Sequence, residues 1–246
     1  MPLRFSASVL TTAPDTAPVV VTDNLVFNMD ASTYPGSGTT WNNSVNATSA
    51  TLTGSPTYNA TTGFTFDGTS QYGRITSTAS VTDFNNTDNY TVEIWFNPSS
   101  GQASGSLATV LEKWNSTNQS RYPYVFRYAE GTGVLSMAVY DGTNNPTATI
   151  SGFNTGSWHQ AVGVFNFSSG TTTPYRNGIA SSTTSLSGVG AVSNTSLVGI
   201  AHRISSVGAA QFLFKGSVGL IRMYDRALSA AEVLQNYNAD ESTYGV

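Results

Sequence analysis

Apolar and polar residues alternate with period two along most of this chain, and that pattern constrains the fold more than any other feature. In Asn24-Leu25-Val26-Phe27-Asn28-Met29-Asp30, positions 25, 27 and 29 fall on one face. Successive side chains of a strand point to opposite sides of its sheet, so such a segment buries one face. Gly63-Phe64-Thr65-Phe66-Asp67-Gly68 alternates with Phe64 and Phe66 inward. Residues 90–96 put Tyr90, Val92, Ile94 and Phe96 on one side and Thr91, Glu93 and Trp95 on the other. Residues 124–128, 135–139, 159–167 and 218–224 continue the series. Asp141-Gly142 and Asn177-Gly178 are turn signals between strand candidates. Strand after strand with Gly/Asn/Ser/Thr loops predicts an all-β antiparallel sandwich rather than a parallel α/β sheet.

One helix interrupts the pattern. Ser229-Ala230-Ala231-Glu232 has the form of a capping box, with Ser229 as N-cap and Glu232 reaching back to it. Leu228 and Val233 occupy the two positions of a hydrophobic staple. The helix is expected to run to about Asn236 and to dock through Val233, Leu234 and Tyr237.

A length of 246 residues suits one such sandwich. Charged residues are only 10% of the chain, against roughly 25% in an average soluble domain. Its polarity lies in 34 Thr, 32 Ser, 20 Asn and 23 Gly, while 12 Phe, 12 Tyr and 4 Trp can fill a core. The net charge is −4, and Lys113 and Lys215 are the only lysines, so there is no basic footprint for nucleic acid. The chain has no cysteine, which excludes disulfides, thiolate metal sites and a cysteine nucleophile. His159 and His202 lie too far apart to form a local metal motif. No apolar run is long enough to span a membrane, and the first ten residues lack the apolar stretch of a secretory leader. A role outside a cell would need another route, and release by lysis inside a virus particle is one such route. The nine Asn-x-Ser/Thr sequons therefore reflect composition rather than glycosylation.

Residues 1–22, with Pro2, Pro14 and Pro18 among Thr and Ala, read as an extended arm, and residues 23–246 as the domain. Ordering the arm costs roughly 1–2 kcal/mol of backbone entropy per residue. Its own apolar surface cannot offset this, but a partner's can. Strand addition to a neighbouring sheet edge would let Leu3, Phe5, Val9 and Leu10 fill pockets there, which predicts a homo-oligomer or a docked particle protein.

The order of these pieces resembles laminin G-like domains of the concanavalin A-like lectin/glucanase superfamily. Phe66-Asp67-Gly68-Thr69-Ser70-Gln71-Tyr72 is similar to the family's F-D-G-x-x-x-Y strand. Tyr90-Thr91-Val92-Glu93-Ile94-Trp95-Phe96, Gly156-Ser157-Trp158-His159-Gln160-Ala161-Val162 and Tyr175-Arg176-Asn177-Gly178 match its later strands and hairpin. The segment from Phe214 to Ser229 is similar to its closing strand. The resemblance covers about residues 23–240 and implies a jelly roll of two curved sheets. Residues 30–41 resemble a version found in structural proteins of tailed bacteriophages. That implies a noncatalytic virion surface protein, made in the host cytoplasm and serving as capsid decoration or fibre, with capsid or tail proteins as partners and host glycans as ligands. The alternative is a cellular or secreted carbohydrate-binding module, and the more distant one a β-glucanase.

A glucanase needs two closely spaced carboxylates. Glu93 stands alone on its strand, with Trp95 where a second acid would help, and Glu112 is expected to pair with Lys113. No catalytic residue is therefore assigned. Glycan recognition uses exposed aromatic faces beside amides and arginines. Two loops carry such groups: Trp114, Asn115, Arg121 and Tyr122 in one, Tyr140 and Asn144 in the other. Tyr34 and Trp41 form a third candidate. No cofactor is required, but the resemblance admits Ca2+, with Asp83, Asp88 and Asp141 as the available loop carboxylates. Gly219-Leu220-Ile221 replaces the acidic closing-strand residue that many relatives carry.

Overall fold

The structure is a computed structural model, and it describes residues 18–75, 80–114, 121–205 and 208–246. The arm candidates Leu3, Phe5, Val9 and Leu10 and the loop residue Asn115 lie outside the described residues. The alternating segments become strands of two large antiparallel sheets, as the periodicity predicts. The nine-stranded sheet runs Ile179–Ala180, Thr171–Arg176, His159–Asn166, Asn89–Pro98, Lys215–Tyr224, Gly63–Asp67, Thr57–Asn59. Leu25–Asp30 also pairs with Lys215–Tyr224, and Thr184–Ser185 with Thr171–Arg176. The eight-stranded sheet runs Thr147–Ile150, Val134–Tyr140, Tyr122–Ala129, Ala108–Glu112, Val198–Ile200, Tyr72–Ile75, Ser49–Thr53, Thr40–Asn42.

The core lies between the sheets. Phe27, Met29, Tyr90, Val92, Ile94, Phe96 and Phe165 point inward from one sheet, and Trp41, Ile75, Tyr124, Phe126, Met137 and Val139 from the other. Trp41 is fully buried with its ring centre 4.9 Å from that of Phe64. It is a core residue and presents no face to a ligand, which corrects the expectation for the Tyr34–Trp41 loop. Asn177 and Gly178, both at positive φ, turn the chain between Thr171–Arg176 and Ile179–Ala180. A Cβ on Gly178 would lie 2.7 Å from Leu234, so the glycine also lets the helix approach. Asp141-Gly142 opens a six-residue connection rather than a two-residue hairpin.

The helix spans Ala230–Tyr244, two turns beyond the expected end near Asn236. Its start is as predicted: Ser229 Oγ accepts from the Glu232 N–H, and Glu232 Oε2 accepts from the Ser229 N–H at 2.8 Å. Leu228 and Val233 are both buried in one cluster. The added length comes from tertiary packing. Tyr237 and Tyr244 stack on Trp95, and Gly245 closes the helix in the left-handed conformation. The helix therefore covers the outer face of the nine-stranded sheet, and Thr91, Glu93 and Trp95 are as buried as the residues that face the core.

A buried polar network lies under the helix. Glu93 accepts from Gln160 Nε2 and Asn236 Nδ2, both at 2.8 Å, and lies 3.6 Å from Arg222 Nη1. Arg222 also donates to Asp240 on the helix. Asn236 Oδ1 accepts from the Val21 N–H, whose carbonyl accepts from Tyr224 Oη. Gln235 Nε2 donates to the Val19 carbonyl. The chain is thus clamped to the sandwich from Val19 onward.

Candidate functional site

Among the described residues no helix covers the outer face of the eight-stranded sheet. Directly paired residues of neighbouring strands share a face, so the register traces one row across all eight strands. It reads Thr40, Thr51, Arg74, Gly199, Glu112, Val125, Ala138, Thr147. The inward residues flanking this row, among them Trp41, Ala50, Ile75 and Phe126, belong to the core, so the row faces outward. Its middle is built of small residues and one carboxylate.

Glu112 is the centre. Its side chain is fully buried, and Oε1 accepts from Arg127 Nη2 and from Arg203 Nε, each at 3.0 Å. Thr109 Oγ1 donates to the other oxygen at 3.3 Å. Burial pushes the Glu112 carboxyl up to about 7, against the pull of Arg127. The expected Glu112–Lys113 pair does not form. Adjacent residues of a strand point to opposite faces, and Lys113 instead donates through Nζ to the Ser196 carbonyl at 2.7 Å. Burial brings that ammonium down to about 8, although Asp83 opposes the shift.

Aromatic rings support the guanidiniums. The Arg203 guanidinium carbon lies 4.4 Å from the Trp114 ring centre and 4.7 Å from that of Phe212. Arg127 lies 5.7 Å from the Tyr122 ring and Arg74 4.9 Å from the Tyr72 ring. Tyr72 packs in turn against His202, with centroids 4.4 Å apart and the rings tilted by 52°. His202 sits over Gly199, where a Cβ would come within 2.2 Å of its carbonyl oxygen. Burial drops the imidazole to about 3, with Arg74 adding to the shift. His159 is buried too, at the edge of the core, with Nε2 3.1 Å from the Asn154 carbonyl.

The structure brings together most of the residues that the sequence suggested for glycan contact. Trp114, Tyr122 and Tyr140 pack in one cluster with Val125 and Ala138. Tyr122 itself is 4% exposed and donates to Asn145 Oδ1, so it supports the cluster, while Trp114 and Tyr140 are half-buried. Arg121 Nε donates to the Asp141 carbonyl, which joins the two loops. Asn144 is exposed and donates to Asp141 and to the Gly188 carbonyl. Arg127, Arg203, Phe212, Tyr72 and Arg74 were not singled out from sequence, because nothing local marks a strand residue as a neighbour of Glu112.

The three candidate calcium ligands do not share one site: Asp141 lies outside the pocket that Asp83 and Asp88 line. Asp141 accepts from the N–H groups of Thr143, Asn144 and Gly190 and from Asn144 Nδ2. Burial alone would raise its pKa, but these bonds outweigh it and hold the carboxyl well below the usual carboxylate range. Asp83 accepts from the Asn194 N–H and Asp88 from the Asn85 N–H. With Asp225 they line a separate pocket of about 420 Å3. Among the described residues no three His, Cys, Asp or Glu side chains are grouped so as to hold a metal ion. No described helix is long and apolar enough to cross a membrane.

Glu93, the isolated strand carboxylate, is sealed beneath the helix, on the opposite side of the molecule from Glu112. The two do not form the carboxylate pair that glycoside hydrolysis requires.

Comparison with solved structures shows the same fold. The receptor-binding domain of botulinum neurotoxin D superposes with a TM-score of 0.65 at 10% identity, over 89% of this chain and 53% of that one. The chain thus spans about half the length of the neurotoxin domains it matches. A mutant Trypanosoma rangeli sialidase displaying trans-sialidase activity gives 0.68 at 13% identity, over 92% and 34%. The carbohydrate-binding module of the Ruminococcus gnavus IT-sialidase, bound to alpha2,6 sialyllactose, gives 0.50 at 16% identity, over 61% and 83%. No curated protein matches the sequence. The family model of the concanavalin A-like lectin/glucanases matches residues 67–234, and the chain belongs to that superfamily.

Proposed function

We propose that this is a noncatalytic glycan-binding domain displayed on the surface of a virus particle, as capsid decoration or fibre, and that its contact surface is the outer face of the eight-stranded sheet. The observation that carries the reading is the convergence on that face of Trp114 and Tyr140 with the guanidiniums fixed around Glu112. Partly exposed aromatic rings beside arginine N–H groups are the chemistry that holds a pyranose. The sialyllactose bound by the R. gnavus module and the receptor-binding role of the neurotoxin domain support a recognition role. The virion placement rests on the likeness of residues 30–41 to bacteriophage structural proteins, and a gene lying beside capsid or tail genes would support it. The likeness to the R. gnavus module also favours a second reading, a cellular or secreted carbohydrate-binding module.

A glycan array probed with the full chain tests the binding function. Trp114→Ala and Tyr140→Ala should each weaken binding at least about tenfold, or about 1.4 kcal/mol. An array with no bound glycan, or binding indifferent to both changes, would reject it.

A further inference from the structure

We propose that this face selects acidic glycans, with a carboxylate or sulfate group of the sugar docking on the guanidiniums that Glu112 holds in place. The proposal rests on the glycan-binding reading above and narrows its ligand class. Among the described residues, three guanidiniums, of Arg74, Arg127 and Arg203, share the outward strand positions of this face with one carboxylate, that of Glu112. The face therefore carries excess positive charge on a chain whose net charge is −4. A diffuse attraction for polyanions is opposed by that overall charge, so an acidic ligand has to be won locally.

The arginines are also pre-organised. Glu112 takes one nitrogen from each of its two partners, Nη2 of Arg127 and Nε of Arg203. A guanidinium has five N–H donors in a fixed fork, so each keeps donors for a ligand. Both side chains remain partly exposed, at 17% and 12%. Trp114 and Phe212 fix the plane of Arg203, and Arg74 is held over Tyr72 with Nη2 on the Gly208 carbonyl. Planar, oriented guanidiniums match carboxylate and sulfate oxygens, and little side-chain entropy is left to lose on binding. A neutral sugar makes no use of the excess charge.

The test compares matched polysaccharides by isothermal titration with the full chain. Polygalacturonate is set against its fully methyl-esterified form, and dextran sulfate against dextran. The expected result is at least a tenfold preference for the acidic member of one pair, and that pair identifies the anionic group. Binding should weaken as salt rises, fall at least tenfold in Arg203→Gln, and persist in Arg176→Gln, whose side chain bonds the Ser151 carbonyl away from this face. If Arg203→Gln does not fold, Arg74→Gln carries the same expectation. Equal binding of acidic and neutral members, or array ligands that are all neutral, overturns acidic selectivity and leaves the glycan reading standing. Acidic preference unchanged by Arg203→Gln and Arg74→Gln overturns the site. Failure of every glycan, acidic or neutral, overturns both readings.

Discussion

The Tyr244 ring lies stacked on the Trp95 indole, with centroids 4.4 Å apart and planes 14° from parallel. This contact fixes the last turn of the helix on the central strand of the nine-stranded sheet. Trp158 and Leu220 complete the cluster. It explains why the helix continues past Asn236, and it converts one side of the sandwich from a surface into a second buried layer.

Tyr244→Ala should therefore cost about 3 kcal/mol, the loss typical of a large buried aromatic. Urea unfolding would show it, and circular dichroism should lose helical signal from the last turns. A helix signal equal to that of the parent protein would show that the stack does not hold this end.

At the other end of the helix, Ser229→Ala removes the N-cap and should cost about 1 kcal/mol. Ser187→Ala, in an exposed loop, serves as the reference and should change little. Equal denaturant midpoints would mean that the box adds nothing.

The Glu93–Arg222–Asp240 network gives a larger effect. Arg222 is held cationic: burial opposes its charge, but Glu93 and Asp240 outweigh that and raise its pKa. Arg222→Met leaves two carboxylates facing each other under the helix and should cost about 3–5 kcal/mol. Adding Glu93→Gln removes one of the stranded charges. The double variant should be more stable than the sum of the two single changes, which a double-mutant cycle measures.

Two groups, His202 and Glu232, should lose a stabilising contribution in acid, each in its own window. His202 has an ordinary value of 6.5 and a folded value near 3, because burial disfavours the imidazolium and Arg74 adds to this. The unfolded chain takes up a proton below pH 6.5 and the folded one does not. The His202 contribution is therefore full above 6.5 and falls towards pH 3, by at most about 1.4 kcal/mol per pH unit, while Glu112, raised to about 7 by burial, acts in the opposite sense between 7 and 4.5. Glu232 is held at about 2 by the Arg226 guanidinium and the Ser229 N–H, so its contribution is present above 4.5 and lost as pH falls through 2. His202→Gln should flatten the upper window and leave the lower one. Midpoints measured at pH 7, 5 and 3.5 separate the two.

The arm offers a truncation series. Deleting residues 1–17 removes none of the bonds that tie Val19 and Val21 to Gln235 and Asn236. That variant should keep the parent's denaturant midpoint, whereas deleting residues 1–22 should lower it. If the arm anchors the protein to sister subunits, the shorter deletion also lowers the mass in solution measured by light scattering. An unchanged mass would move the anchor elsewhere.

The sequence by itself determined the strongly alternating strands, their inward faces, the start of the helix and the family, because each is written in neighbouring residues. Period-two alternation, the Asn177-Gly178 turn and the Ser229–Glu232 box act within a few positions. The tertiary structure alone decided the rest. Arg203 reaches Glu112 across 91 positions and Asn236 reaches Val21 across 215. No local pattern encodes such pairs, since they depend on which strands become neighbours and in which register. The same reason explains why Glu112 turned to two distant arginines rather than to adjacent Lys113. Strand geometry sends sequence neighbours to opposite faces, while pairing gathers residues from distant strands onto one.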